Sequence, residues 1–254
     1  MTRTAPEVRV ISIGTLAANP LWEERFPVRT GHATTTLIRL GDRVILVDPG
    51  LPDRAVAARL TERAGIPASA VTHVFLTSFK PDVFRGILAF EKAKWWISQD
   101  EREQVGVPLV GQLQEAAAAG DAELKAALEL DVGILRRCEP APDEIAPHVS
   151  LFPLPGVTPG LTGLLVAMPG RGGSGPTVLI AGDAVPTVEH LERGMVLDSA
   201  VNVTRARESF GEAVEIADLI VPGRDNLVVN PVKVRTGGTG GTGGGGGPGT
   251  ADGR

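Results

Sequence analysis

Polar side chains that could take part in chemistry follow a short apolar run in the first half of the chain. The run VTHVFLT (residues 71–77) is typical of a buried strand, and Ser78, Lys80 and Asp82 come directly after it. Loops at the carboxyl ends of such strands often carry binding and catalytic groups. Ser78 could act as a nucleophile with Lys80 as its base. Side chains two positions apart on an extended loop need not meet, so a turn serine and a solvated lysine are the simpler interpretation.

The histidines are too few and too widely spaced for a local zinc motif. The chain has four of them, His32, His73, His148 and His190, and no two are closer than 41 positions. A multi-histidine zinc site would therefore have to be assembled from distant parts of the chain. His32, in a loop before a run of threonines, is a candidate for the mouth of a cleft.

Strand-like and helix-like segments must position these residues. Apolar alternation and breakers predict strands at 8–14, 34–40, 43–47, 71–77, 94–97, 149–154, 163–168, 177–181 and 219–221, and helices at 52–64, 83–90, 110–130, 187–193 and 204–218. Ser98 is a predicted helix N-cap, because Glu101 follows it at the spacing of a capping box. Gly120-Asp121 is a candidate break within the helix predicted over 110–130. Strands come in runs at both ends, each followed by helices, which by itself indicates only a mixed α/β or α+β fold.

Composition excludes several function classes. The chain has 254 residues, a net charge of −5 and few aromatic residues, so neither a nucleic-acid partner nor a basic membrane-binding face is expected. No apolar run has the length of a signal peptide or a spanning helix, and the single Cys138 allows no internal disulfide. We expect a cytoplasmic protein of bacterial type. The sequence does not determine its oligomeric state. Residues 236–254 are rich in glycine and predict a disordered tail.

Five segments resemble, in order, the motif regions of the metallo-β-lactamase superfamily. They are GHATTTLIRLGDRVILVDPG, VTHVFLTSFKPDVFRG, LPGVTPGLTG, VLIAGDAVPTVEHLERG and ADLIVPGRDN. The resemblance covers residues 8–231. It implies an α+β fold with four layers, αββα, in a single domain over residues 8–235 that follows a short extension over residues 1–7.

The metal-binding motifs of that superfamily are altered here. Its strand ending in Thr-His-x-His-x-Asp-His corresponds to Thr77 through Val83, where Thr77 and Asp82 match and the three histidine places hold Ser78, Lys80 and Val83. By the same resemblance the remaining histidine places are filled by Val157, Leu161 and Arg224. Asp183 matches the carboxylate that bridges the two metals, and Asp48 matches an acidic residue with a structural role.

Two carboxylates, Asp82 and Asp183, are therefore the metal ligands that remain. They could hold a hard divalent cation weakly, together with water, but not a tight zinc pair, which needs three or four ligands per ion. We expect no bound cofactor. Our hypothesis is that Lys80 and Arg224 replace the charge of the metals and neutralise both carboxylates. Such a cluster is either purely structural or part of a pocket for a ligand.

The sequence thus predicts a protein of hydrolase ancestry that has lost dinuclear metal binding. As a pseudoenzyme it would bind a small polar or anionic molecule or serve as a scaffold, with Ser78, Lys80, Asp82, Asp183, Arg224 and His32 as the candidate cleft residues and none assigned to catalysis. One alternative is a hydrolase with a weak, atypical metal at Asp82 and Asp183. Another is a protein-interaction module whose cleft is filled.

Overall fold

The computed structural model describes residues 5–170 and 173–236, and these form two sheets flanked by helices. The strands are β1 Glu7–Ser12, β2 Thr35–Leu40, β3 Arg43–Val47, β4 His73–Leu76, β5 Lys94–Ile97, β6 Glu139–Pro140, β7 Glu144–Ala146, β8 Val149–Pro153, β9 Thr162–Gly170, β10 Gly173–Gly182, β11 Leu219–Pro222 and β12 Val228–Val229. The helices are α1 Asp53–Ala64, α2 Pro81–Phe84, α3 Gln99–Ala119, α4 Ala122–Arg137, α5 Val188–Arg193, α6 Val203–Ile216 and α7 Pro231–Thr236.

Each sheet has six strands. The first has the order β1-β2-β3-β4-β5-β6 and the second β12-β11-β10-β9-β8-β7. In the first sheet β3 pairs in parallel with β4, and β4 with β5. In the second, β10 pairs in parallel with β11. These parallel pairs place the ends of β3, β4, β10 and β11 where loops from both sheets can meet.

Along each strand, side chains alternate between the two faces of the sheet, and this alternation produces the layers of the fold. Neighbouring residues of one strand face opposite sides, so Phe75 belongs to the core between the sheets, whereas Val74 and Leu76 belong to the core under the helices. In β10, Val178 and Ile180 likewise face the first sheet, and Leu179 faces the other way. Both faces of each sheet are therefore covered, which gives the predicted αββα sandwich.

The helices form the two outer layers. Buried side chains of α1, α3 and α4 share one core with the outer face of the first sheet. Ala206 and Ala213 of α6 and Leu191 of α5 share another with the outer face of the second. Within the described ranges no helix combines the length and apolar character needed to cross a membrane.

The element predictions differ from the structure mainly where propensity and packing disagree. The hairpin of β2 and β3 lies where it was expected, and α1 begins one residue later than predicted. α3 begins at Gln99, directly after the predicted N-cap Ser98 and eleven residues before the predicted helical run, because packing against α4 and the first sheet overrides Gly106 and Pro108. Gly120 and Asp121 separate α3 from α4, at the candidate break. The helix predicted over 83–90 is a single turn, α2, followed by the 3-10 helix Ile87–Phe90. The predicted tail lies outside the described residues from 237 onwards.

Candidate functional site

Loops from both sheets bring four of the six sequence-predicted site residues together at one edge of the sandwich. Asp48 directly follows β3, the segment from Ser78 to Asp82 follows β4, Asp183 follows β10, and Arg224 comes two residues after β11. The carboxyl ends of parallel strands meet at such an edge, which is the common position for functional groups in sheets of this kind.

Four of these residues form an ion-paired group, which we call the charge cluster: Lys80, Asp82, Asp183 and Arg224. The guanidinium of Arg224 donates two hydrogen bonds to Asp183, from Nε to Oδ1 (2.7 Å) and from Nη2 to Oδ2 (2.8 Å). Its Nη1 donates to Asp82 Oδ2. Lys80 Nζ donates to Asp183 Oδ2 over 2.8 Å. Two positive and two negative side chains thus balance one another.

Burial separates an inner pair from an outer pair in the charge cluster. The side chains of Arg224 and Asp183 are 1% and 3% exposed, whereas those of Lys80 and Asp82 are 32% and 30% exposed. The inner pair has the bidentate arrangement that makes arginine–carboxylate contacts strong and directional. Only the outer pair can be reached from solvent.

The positive charges decide the protonation state of the inner pair. Burial by itself would raise the pKa of Asp183, but the charges and hydrogen bonds of Arg224 and Lys80 outweigh it and hold that pKa well below its ordinary value. Burial also opposes the charge of Arg224, and its contacts with Asp183 and Asp82 reverse this and raise its pKa. Both shifts favour the charged forms of Asp183 and Arg224.

Asp48 lies beside the charge cluster and supports the loop that carries Lys80. Its carboxylate accepts hydrogen bonds from Thr77 N (2.8 Å) and Thr77 Oγ1 (2.7 Å). Asp48 adopts a φ of 51°, an uncommon conformation for a residue other than glycine. Burial raises its pKa to about 7, although the bonds from Thr77 act in the opposite direction. The geometry fits the structural role that the resemblance implied.

Glu101 is a buried site residue that the sequence reasoning placed in a different role. Ser98 does cap α3, accepting from Glu101 N. The Glu101 carboxylate does not return that bond; it accepts instead from Phe79 N (2.8 Å), Thr158 Oγ1 (2.8 Å) and Gly160 N (2.9 Å). Burial raises its pKa, and these three bonds oppose the rise. Glu101 therefore ties the loop that carries Lys80 to the segment PGVTPGLTG. The sequence signalled only its spacing from Ser98 and gave no sign of these long-range partners.

Three of the positions that the resemblance aligns with histidines carry apolar side chains. Val83, Val157 and Leu161 are all buried and belong to the two helix-side cores. The glycines of these motifs remain necessary for packing: a Cβ on Gly223 would lie 2.6 Å from Asp183 Oδ1, and one on Gly160 2.0 Å from Glu101 N. These close approaches fix the backbone of both segments around Asp183 and Glu101.

Ser78 and His32 do not join the charge cluster. Ser78 is fully buried, and its Oγ has no hydrogen-bond partner in the described part of the chain. The hydrogen bond of Lys80 goes to Asp183, so no Ser78–Lys80 pair of the nucleophile–base kind is formed. The ring of His32 lies near two backbone carbonyls, Nε2 being 3.2 Å from Ile13 O and Nδ1 3.4 Å from Thr30 O.

The donor set does not suit a dinuclear metal centre. Among residues 5–170 and 173–236, no three His, Cys, Asp or Glu side chains are grouped so that they could hold a metal ion. Asp82 and Asp183, the two carboxylates available, both have oxygens bound to Arg224. A divalent ion would have to displace a buried guanidinium and would then meet only carbon at Val83, Val157 and Leu161.

Comparisons with known proteins agree with the architecture. Residues 28–229 match the sequence profile described as "Metallo-beta-lactamase superfamily". A solved structure of a putative metallo-beta-lactamase from Thermotoga maritima is 17% identical, with a TM-score of 0.62, over 89% of this chain and 99% of that one. A probable metal-dependent hydrolase from Staphylococcus aureus is 14% identical, with a TM-score of 0.60, over 89% and 91% of the chains.

AidC, described as a dizinc quorum-quenching lactonase in complex with a product, is 17% identical, with a TM-score of 0.56, over 84% of this chain and 81% of its own. At these identities the likeness concerns the fold alone. No curated protein sequence matches the chain significantly.

Proposed function

The chain belongs to the metallo-β-lactamase superfamily, and from that premise we propose that the charge cluster stands in this member where its relatives bind two metals, so that the protein is a pseudoenzyme. The observation that carries the proposal is the placement of Arg224. Its guanidinium lies between Asp183 and Asp82 and hydrogen-bonds both carboxylates. In a metal-binding relative the carboxylates would face cations; here a side chain supplies that charge.

Electrostatics supports the proposal that Lys80 and Arg224 supply the positive charge that metal ions supply in relatives. Two carboxylates left near each other in a partly buried place would repel, and burying either one unpaired costs several kcal/mol. Lys80 and Arg224 remove both costs, because each donates to Asp183 and Arg224 also reaches Asp82. The cluster is complete without a ligand, and no group in it is left to lower the pKa of a bound water as a metal would.

The same geometry favours a scaffold or interaction role over an anion pocket at the old cleft. An anion pocket needs cations that face the ligand, but Arg224 is buried and engaged with both aspartates. The cavity that adjoins Arg224 measures about 120 Å³, below the roughly 300–1,000 Å³ of typical ligand sites. A small polar ligand would have to bind at the outer pair, Lys80 and Asp82.

Metal content of the purified protein tests the proposal. We expect well under one ion per chain by mass spectrometry after dialysis, with no increase after challenge with zinc, manganese or iron. A chelator should leave the melting temperature unchanged, because no ion contributes to folding. The double variant Lys80→His/Arg224→His is the control, since it returns imidazoles to two ligand places and should retain more zinc than the wild type. One or two tightly held ions per wild-type chain would contradict the proposal and require direct assays of hydrolysis.

A further inference from the structure

A cavity in the helical hairpin of α3 and α4 lies apart from the charge cluster. It has a volume of about 520 Å³, which is within the roughly 300–1,000 Å³ range of small-molecule sites. Leu109, Val132 and Leu135, all buried, form its floor, and the exposed Val107 and Val110 form its rim. The cavity is thus an apolar trough that opens to solvent along one side.

Two arginines line this trough, and neither forms an ion pair within the described ranges. Arg102 and Arg136 form no ion pair or side-chain hydrogen bond with any residue in the described ranges, and Arg102 Nε is buried without a partner. The nearby Cys138 gives no compensation, because burial raises the pKa of its thiol to about 12. The carboxylate that lines the trough, Glu103, accepts a hydrogen bond from Gln99. A buried guanidinium N–H without a partner is costly and unusual, so no acceptor in the described chain accounts for the position of the Arg102 head group.

The local sequence also departs from helix preference at this place. Gly106 and Pro108 lie in the interior of α3 beside the trough, and Gly111 follows one turn later. Glycine and proline are the two residues least favourable inside helices. A Cβ on Gly106 would meet only Leu135 Cδ2, at 3.7 Å, so close packing does not require glycine there. The missing side chain instead leaves space above the floor, and local rules broken without a packing gain are typical of functional places.

We propose that this trough binds a small amphipathic carboxylate, with its alkyl chain on the Leu109–Val132–Leu135 floor and its carboxylate on Arg102 and Arg136. The guanidinium of Arg102 supplies the donor geometry that a carboxylate matches. The occupant is not the carboxyl-terminal segment 237–254, because TGGTGGTGGGGGPGTADGR at residues 236–254 has no large apolar side chain to fill the trough. The site shares no residue with the charge cluster, so it does not depend on the function proposed above.

Calorimetric titration of the full-length protein with decanoate tests this assignment. We expect saturable binding of decanoate, weaker binding of the uncharged 1-decanol, and none of acetate, which lacks the chain. Arg102→Gln should weaken decanoate binding at least about tenfold, because a hydrogen bond to a charged group is lost, and should leave 1-decanol unaffected. Arg207→Gln, at an exposed arginine of α6 with no ion pair in the described chain, is the matched control and should leave both titrations unchanged.

Two variants inside the trough separate this proposal from its rivals. Gly106→Phe fills the space and should abolish binding of both probes; Val107→Glu, at a position 80% exposed, keeps the fold and should repel decanoate alone. Absence of saturable decanoate binding to the folded wild type, or binding that neither Arg102→Gln nor Val107→Glu changes, would overturn the proposal. So would a dimer in size-exclusion chromatography that Val107→Glu dissociates, because the trough would then be an interface between copies.

Discussion

Replacement of Arg224 by methionine tests the central feature of the site. Methionine has a similar length but carries no charge, so Arg224→Met removes two hydrogen bonds to Asp183 and one to Asp82. Asp183 is then left almost fully buried with Lys80 as its single cationic partner. Asp82, about a third exposed, can recruit water.

The expected loss in the free energy of unfolding depends on which charged side chain stays buried without its partner. Removing one partner of a buried ion pair typically costs about 3–5 kcal/mol. We expect the lower end, about 3 kcal/mol, because Lys80 still neutralises Asp183 and water reaches Asp82. That loss is a large share of the roughly 5–15 kcal/mol by which a domain is stable. Adding Asp183→Asn to Arg224→Met should recover part of it, since the uncompensated buried charge is removed as well.

Urea unfolding, followed by the fluorescence of the buried Trp95 and Trp96, gives the free energy of unfolding for each variant. Arg205→Met is the matched control: Arg205 pairs with Glu208 on the exposed face of α6, and its loss should leave the free energy of unfolding nearly unchanged. A loss below about 1 kcal/mol for Arg224→Met, or a double variant whose loss equals the sum of the single losses, would refute the argument that the cluster holds a buried carboxylate.

Two further predictions concern residues around the charge cluster. Gly223→Ala places a Cβ 2.6 Å from Asp183 Oδ1 and should lower the free energy of unfolding by about 1–3 kcal/mol. The control Gly211→Ala in α6, with open space around its Cβ, should be neutral or stabilising. Equal effects of the two variants in urea unfolding would contradict the close approach. Asp48 has a pKa raised to about 7 in the folded state. Between pH 4 and pH 7 the folded chain therefore holds a proton that the unfolded chain has lost. The free energy of unfolding should fall as pH rises through that window, by at most about 4 kcal/mol. Asp48→Asn keeps the shape of the protonated form and should flatten that slope in unfolding measured across pH; a slope identical to the wild type would show that Asp48 does not titrate there.

Local pattern was sufficient for much of the fold. Alternation of apolar residues over 34–47 predicted the β2–β3 hairpin, and Pro67 and Gly65 marked the end of α1. The strands β6 and β12, at two residues each, were missed because so short a segment has no period to detect. The start of α3 was marked by Ser98 and Glu101, but helical propensity was recognised only from residue 110, because Gly106 and Pro108 weigh against a helix that tertiary packing nevertheless stabilises.

The chemistry of the site divides in the same way. The sequence by itself placed Lys80, Asp82, Asp183 and Arg224 at ligand positions of the motifs that it resembles. Whether those cations face a ligand or the two aspartates was decided only by the tertiary structure. The contacts of Arg224 span 41 and 142 positions, and that of Lys80 spans 103. Distances over such separations depend on how the two sheets pack, as do the partners of Glu101, and no local periodicity encodes them.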